Sequence, residues 1–252
     1  YAQHVTAAGV VEWGVNGINV SPASSGAQHD SSICLDGSGG LLLVFCDTRN
    51  GQYDLFGQRI DVSGSLLWSP LALGLCTTAG YQSYPMIVPD GTGGFYVTWN
   101  DDRNSATTGT DIYTNHFYAD GTPRWTWGGY ATCDWVGDQN TARAASDNHG
   151  GIVVVWQDDR NYATNESDIY AQRHLAGGQT TFGYYGQAVC SQPGMQRSAD
   201  LICDSLGRTF IVWTDSRTNG YTGSHIYAQL LTPDGGALWQ NSGMMVGGAD
   251  GD

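Results

Sequence analysis

The sequence predicts an all-β fold: a β-propeller of four-stranded antiparallel blades, period about 57 residues, with four complete blades plus one half blade. Three observations carry this. The strings LVFCDTRN, VTWNDDRN, VVWQDDRN and IVWTDSRT place Phe45, Trp99, Trp156 and Trp213 at intervals of 54, 57 and 57 residues. Within each unit, short β-branched and aromatic runs are separated by Gly-rich turns, as in antiparallel hairpins. The second run of each unit, such as Val153-Val154-Val155-Trp156, is apolar on both faces, so its sheet must be covered on both sides.

The second full unit shows the elements in order. Strand A covers roughly Tyr84 to Val88 and turns at Asp90-Gly91-Thr92-Gly93-Gly94 into strand B, Phe95 to Asn100. Strand C opens at Asp111-Ile112-Tyr113 and turns at Asp120-Gly121 into strand D around Trp125. The other units repeat these markers in phase: Tyr1, Phe56, Tyr113, Tyr170 and Tyr227; Trp13, Trp68, Trp125, Phe182 and Trp239; and Gln28, Gln82, Gln139 and Gln196. The division expected is one propeller segment over 1–252, with a half blade of strands C and D at 1–27 and blades at 28–81, 82–138, 139–195 and 196–252. Because Tyr1-Ala2-Gln3 aligns with Tyr227-Ala228-Gln229, strands A and B of the half blade are expected from further sequence or a partner chain.

A residue that recurs in every blade is needed once per blade, which points to packing or turn geometry. Trp99, Trp156, Trp213, Tyr113, Tyr170, Tyr227, Trp68, Trp125 and Trp239 are therefore assigned to the repeat core. In the W-x-D-x-R strings, Asp47/Arg49, Asp101/Arg103, Asp158/Arg160 and Asp215/Arg217 stand two residues apart and share a face. Together with Asp54, Asp111 and Asp168 they read as an Asp–Arg–Asp lock at each B–C corner. Of the six cysteines, Cys76, Cys133 and Cys190 share one phase in strand D, too far apart for bridging, and free buried thiols are expected.

Composition narrows the function. All ten basic residues are Arg, 22 of the 24 acids are Asp, and the net charge is −14. That balance argues against a nucleic-acid or anionic-membrane binder. The longest apolar runs are far shorter than the ~20 residues of a membrane-spanning helix. There is no G-x-S-x-G, H-E-x-x-H or P-loop string, and the six His are dispersed. Glycosidases need two opposed carboxylates, and no Asp pair stands out in the sequence. The variable B–C connections, rich in Asn, Thr, Ser and Tyr, suit polar ligands. Asp102, Asp159, Tyr162 and Tyr221 are the ligand contacts chosen on them.

The combination D-x-x-G-G, W-x-D-x-R, D-I-Y-A-Q, G-x-x-x-W and V-C resembles tandem propeller repeats of large secreted or surface bacterial proteins. Local departures are Phe45, Phe182 and His225. The resemblance implies an extracellular or cell-surface, non-enzymatic structural or adhesive module. Its partners would be other domains of a longer chain or an extracellular assembly. The alternative is a glycan-binding, lectin-like propeller, with no cofactor or with Ca²⁺ at the Asp-rich corners; a glycoside hydrolase or lyase is a more distant alternative.

Overall fold

In the computed structural model, which describes residues 1–217 and 223–247, the repeat becomes four separate four-stranded sheets. The first contains β1 (Gln28–Leu35), β2 (Leu41–Asp47), β3 (Asp54–Ile60) and β4 (Leu73–Cys76). The second contains β5 (Gln82–Pro89), β6 (Phe95–Asp101), β7 (Asp111–Phe117) and β8 (Tyr130–Cys133). β9 (Gln139–Ser146), β10 (Ile152–Asp158), β11 (Asp168–His174) and β12 (Gln187–Cys190) form the third. The fourth is β13 (Gln196–Cys203), β14 (Thr209–Asp215), β15 (His225–Leu231) and β16 (Met244–Gly247). Each is an antiparallel meander in chain order, as short Gly-rich connections dictate. The first strands of successive sheets, β1, β5, β9 and β13, pack beside one another and line the axis.

Local sequence explains the tight turns. At each A–B turn an Asp folds the chain with its own carboxylate: Asp90 Oδ1 accepts the backbone N–H of Thr92 (2.7 Å) and of Gly94 (2.9 Å). Asp36, Asp147 and Asp204 do the same at their turns. The B and C strands pair without slippage, Trp99 opposite Tyr113 and Asp101 opposite Asp111. Every A strand instead carries an irregularity against strand B.

Packing between sheets buries both faces of the B strands, as their apolar runs require. Trp99, Trp156 and Trp213 are almost wholly buried, and Tyr113, Tyr170 and Tyr227 nearly so. The Trp68, Trp125 and Trp239 series differs from expectation. These residues precede strand D rather than lie in it, and they are only half-buried. Two of them tie one sheet to the next: the Trp68 indole N–H donates to the Ala119 carbonyl (3.3 Å) and Trp125 to Ala176 (2.9 Å). Trp13 makes the equivalent bond to Val62 (3.1 Å) from residues 1–20, which hold the bridges Ala2–Ile18 and Val5–Val11. With Ala2, Ile18 and Val20 those residues cover Leu43, Phe45 and Phe56 of the first sheet. On the fourth sheet, Ile202, Val212 and Ile226 are exposed.

Candidate functional site

The repeated carboxylates turn inward to structure. Asp101 is fully buried. Its Oδ2 accepts the Trp99 indole N–H (2.7 Å) and Arg103 Nη2 (2.6 Å), while Oδ1 accepts Arg103 Nε (2.8 Å) and the Arg103 backbone N–H (2.9 Å). The guanidinium lies 3.8 Å over the Tyr113 ring. Asp158 and Asp215 repeat this arrangement with Trp156/Arg160 and Trp213/Arg217. In the first sheet Phe45 has no indole to donate. There Asp47 Oδ2 accepts Ser24 Oγ–H (2.8 Å) and Gln28 Nε2–H (3.0 Å) in its place. Burial alone would raise the Asp47 carboxyl, but Arg49 and these donors hold it at about 2.

The third member of the expected Asp–Arg–Asp lock is absent from it. Asp111 Oδ2 accepts the Thr108 hydroxyl (3.1 Å), and Asp168 is bonded by Asn161 and Asn165. The Arg donors go to its own strand's Asp, to a cysteine and to a backbone carbonyl, so the strand C carboxylate turns to its connection instead. Burial pushes Asp111 up to about 6. In the last three sheets the Nη2 that bonds the Asp also faces a cysteine of the preceding sheet: Arg160 Nη2 lies 3.1 Å from Cys133 Sγ, and Arg217 Nη2 2.9 Å from Cys190 Sγ. All six cysteines are free thiols.

The ligand contacts expected on the B–C connections are held by their own loops. Asp102 Oδ1 accepts the Thr110 hydroxyl (2.9 Å), and Asp159 Oδ1 the Ser167 hydroxyl (2.6 Å). Tyr162 opens the single turn α1 (Tyr162–Asn165) and is exposed. Tyr221 lies outside the described residues. None of Asp102, Asp159 and Tyr162 lines the cavity at the axis.

That cavity, about 320 Å³, is built by the irregular part of the A strands: Asp30, Ser31 and Ser32 from β1, Tyr84, Pro85 and Met86 from β5, and Arg143 from β9. The backbone departs from strand geometry at one phase in all four sheets, with φ of 48° at Asp30, 50° at Tyr84, 54° at Thr141 and 55° at Ser198. These non-glycine residues hold a left-handed conformation, a local strain that re-aims the side chains beside the axis. Asp30 and Ser31 also border a second cavity of about 230 Å³ between the first sheet and residues 1–20, with His29, Ile33 and Phe45.

Sequence reasoning missed these axial residues, although a signal existed. Asp30, Tyr84, Thr141 and Ser198 each stand two residues after an invariant Gln, at a phase where the four units disagree. A position that varies inside a strict repeat is where a function served once per ring can sit.

Fold and site together define a β-propeller with a chemically asymmetric axial mouth. No family model matches the chain, and no curated protein matches it by sequence. Among solved structures, the chain is similar to the α-L-arabinanase of Penicillium chrysogenum complexed with arabinobiose. The TM-score is 0.53 at 16% identity, over 90% of this chain and 72% of that one. It is also similar to GH43B of the Bacteroides ovatus xyloglucan locus, with TM-score 0.50 and 13% identity, over 90% of this chain and 45% of that one. At such identities the likeness is one of fold.

This corrects the expectation of a non-enzymatic structural or adhesive module. That expectation rested on repeats of this kind implying a scaffold without chemistry. The same fold houses an arabinanase, so a propeller architecture gives no ground for setting an enzyme aside. No helix of the described residues is long and apolar enough to cross a membrane.

Proposed function

We propose that the chain is a carbohydrate-active β-propeller, a glycoside hydrolase whose substrate lies across the axial mouth with Asp30 as the carboxylate that meets it. The observation that carries the reading is the asymmetry of that mouth. Around it the repeat delivers a carboxylate, a phenol and a guanidinium from three neighbouring sheets, at phases where a purely structural ring would repeat itself. Tyr84 is 63% exposed and offers a ring face to a sugar, while Arg143 offers donors to its hydroxyls. The fold is shared with an enzyme solved with a pentose disaccharide, which makes arabinose-containing polysaccharides the first substrates to try. Asp102, Asp159 and Tyr162, on connections at the same rim, would contact outlying parts of a longer glycan. The resemblance of the repeats to those of secreted bacterial proteins supports an extracellular location, where such polysaccharides are met.

A specific observation favours a second reading. Hydrolysis uses two opposed carboxylates, and Asp30 is the one carboxylate among the described residues lining this cavity. A glycan-binding propeller needs only the first. Both readings are tested together by incubating the chain with arabinan, arabinoxylan and xyloglucan, measuring reducing ends and binding by calorimetry. Release of sugar that is lost in Asp30→Asn supports the hydrolase. Binding without release, weakened in Tyr84→Ala, supports the lectin-like reading. Neither binding nor release on any glycan of a broad array overturns both.

A further inference from the structure

We infer that His29, Asp30 and Cys46 form a binding site for a thiophilic divalent cation, of which Zn²⁺ is the representative. His29 and Cys46 are direct cross-strand partners on β1 and β2, and Asp30 follows at the irregularity. One ligand atom from each of the three lies within 4.8 Å of the others, and among the described residues this is the only such group of three. His29 Nδ1 stands 2.9 Å from Asp30 Oδ2. Imidazole, thiolate and carboxylate are the three side-chain ligand types that Zn²⁺ takes. Its bonds of ~2.0–2.3 Å would set the ligand atoms about 3.3–3.8 Å apart, so the hydrogen-bonded His29–Asp30 pair would open slightly to admit the ion.

The repeat itself supplies the second argument. At the phase of His29 the other sheets carry Ser83, Asn140 and Arg197; at that of Asp30, Tyr84, Thr141 and Ser198; at that of Cys46, Asn100, Gln157 and Thr214. All three phases vary from sheet to sheet, and in the first sheet the residues at them, two adjacent on β1 and one on β2, converge on one point. Structural needs common to all blades cannot explain them, because three blades fold without any of the three.

The surroundings also suit a ligand role. Cys133 and Cys190 each face an Arg of the next sheet, whereas Cys46 Sγ lies 3.5 Å from the Gln82 carbonyl. His29 Nε2 is buried without a hydrogen-bond partner, and the ring is braced edge-on by Tyr53 at 4.4 Å. Asp30 and His29 both border the 230 Å³ cavity, which leaves room for water or a sugar hydroxyl to complete the coordination. The ion would be held by protein ligands on two strands of one sheet, a rigid base for a site at the axial mouth. The glycoside-hydrolase reading uses the same Asp30 carboxylate, but cation binding is measured directly and stands or falls apart from it.

The test is equilibrium dialysis of the intact chain, freed of metal by chelator, against Zn²⁺, followed by elemental analysis. One Zn²⁺ per chain is expected, with affinity lowered at least about tenfold in His29→Ala and in Cys46→Ser and unchanged in Cys34→Ser. Because Cys46→Ser alters a buried position, Co²⁺ is added to the unmutated chain as well. A thiolate-to-cobalt charge-transfer absorption is expected there, abolished by alkylating the thiols. Absence of stoichiometric Zn²⁺, or Co²⁺ binding without that absorption, would overturn the site.

Discussion

A Cβ built on Gly129 would lie 2.7 Å from Cη2 of Trp99. The indole tip of strand B thus occupies the space that any side chain at Gly129 would need, and φ there is +76°. The same pairing links Trp156 to Gly186 and Trp213 to Gly243. In the first sheet the aromatic is the smaller Phe45, and the position one period before Gly129 is Ala72, at φ 61°. Ring size on strand B and side-chain size ahead of strand D are therefore matched blade by blade.

Gly129→Ala should destabilise the chain by roughly 1–3 kcal/mol through overpacking, read as a shift in the denaturant midpoint. Phe45→Trp alone should also destabilise, and adding Ala72→Gly should recover most of the loss. A double-mutant cycle with no coupling between positions 45 and 72 would contradict the match.

Trp99→Ala and Trp156→Ala should each cost about 3–5 kcal/mol, as for other buried aromatics. Both remove ring volume and the indole N–H that Asp101 or Asp158 accepts at 2.7 Å. Trp99→Phe should cost less, because it keeps part of the buried ring volume; equal losses for Phe and Ala would refute the argument.

Arg103→Ala should be more damaging than loss of an exposed ion pair, because Asp101 is buried. Breaking such a pair costs about 3–5 kcal/mol, against about 0–1 kcal/mol at the surface. Arg208, whose pair with Asp204 is partly exposed, is the internal comparison. Similar unfolding midpoints for Arg103→Ala and Arg208→Ala would be inconsistent with this reading.

Acid should weaken the fold through His174. Burial, on an imidazole held by the Thr132 hydroxyl and the Gly178 carbonyl, lowers its pKa to about 4. The unfolded chain, with the ordinary value of ~6.5, then binds more protons between those two pH values. Stability contributed by neutral His174 is complete above pH ~6.5 and is lost as pH falls through about 4, in total roughly 3 kcal/mol. Asp111, raised to about 6 by burial, acts in the opposite direction as it takes up its proton. Comparison of the chain with His174→Gln across this range isolates the His174 share, and identical pH profiles would exclude it.

Thiol titration under denaturing, non-reducing conditions should find six free cysteines, the state in which the structure holds them. Three of them are matched in phase yet belong to different sheets, so an intrachain bridge among Cys76, Cys133 and Cys190 would require the sheets to separate.

The sequence by itself determined the period, the four-stranded meander, the buried aromatic series and the Asp–Arg corners. Each of these is repeated, and repetition exposes whatever every blade needs for packing or turning. Trp68, Trp125 and Trp239 read from the sequence as strand D residues yet lie ahead of it, because sequence phase does not tell a strand from the segment that leads into it. The third member of the expected lock failed for a different reason. Whether Asp111 meets Arg103 or Thr108 depends on how many donors Asp101 has already taken, a competition settled only in three dimensions. The axial mouth was likewise decided by tertiary structure. Asp30, Tyr84 and Arg143 are more than 50 residues apart in sequence, and only the packing of β1, β5 and β9 around one axis brings them to a single cavity.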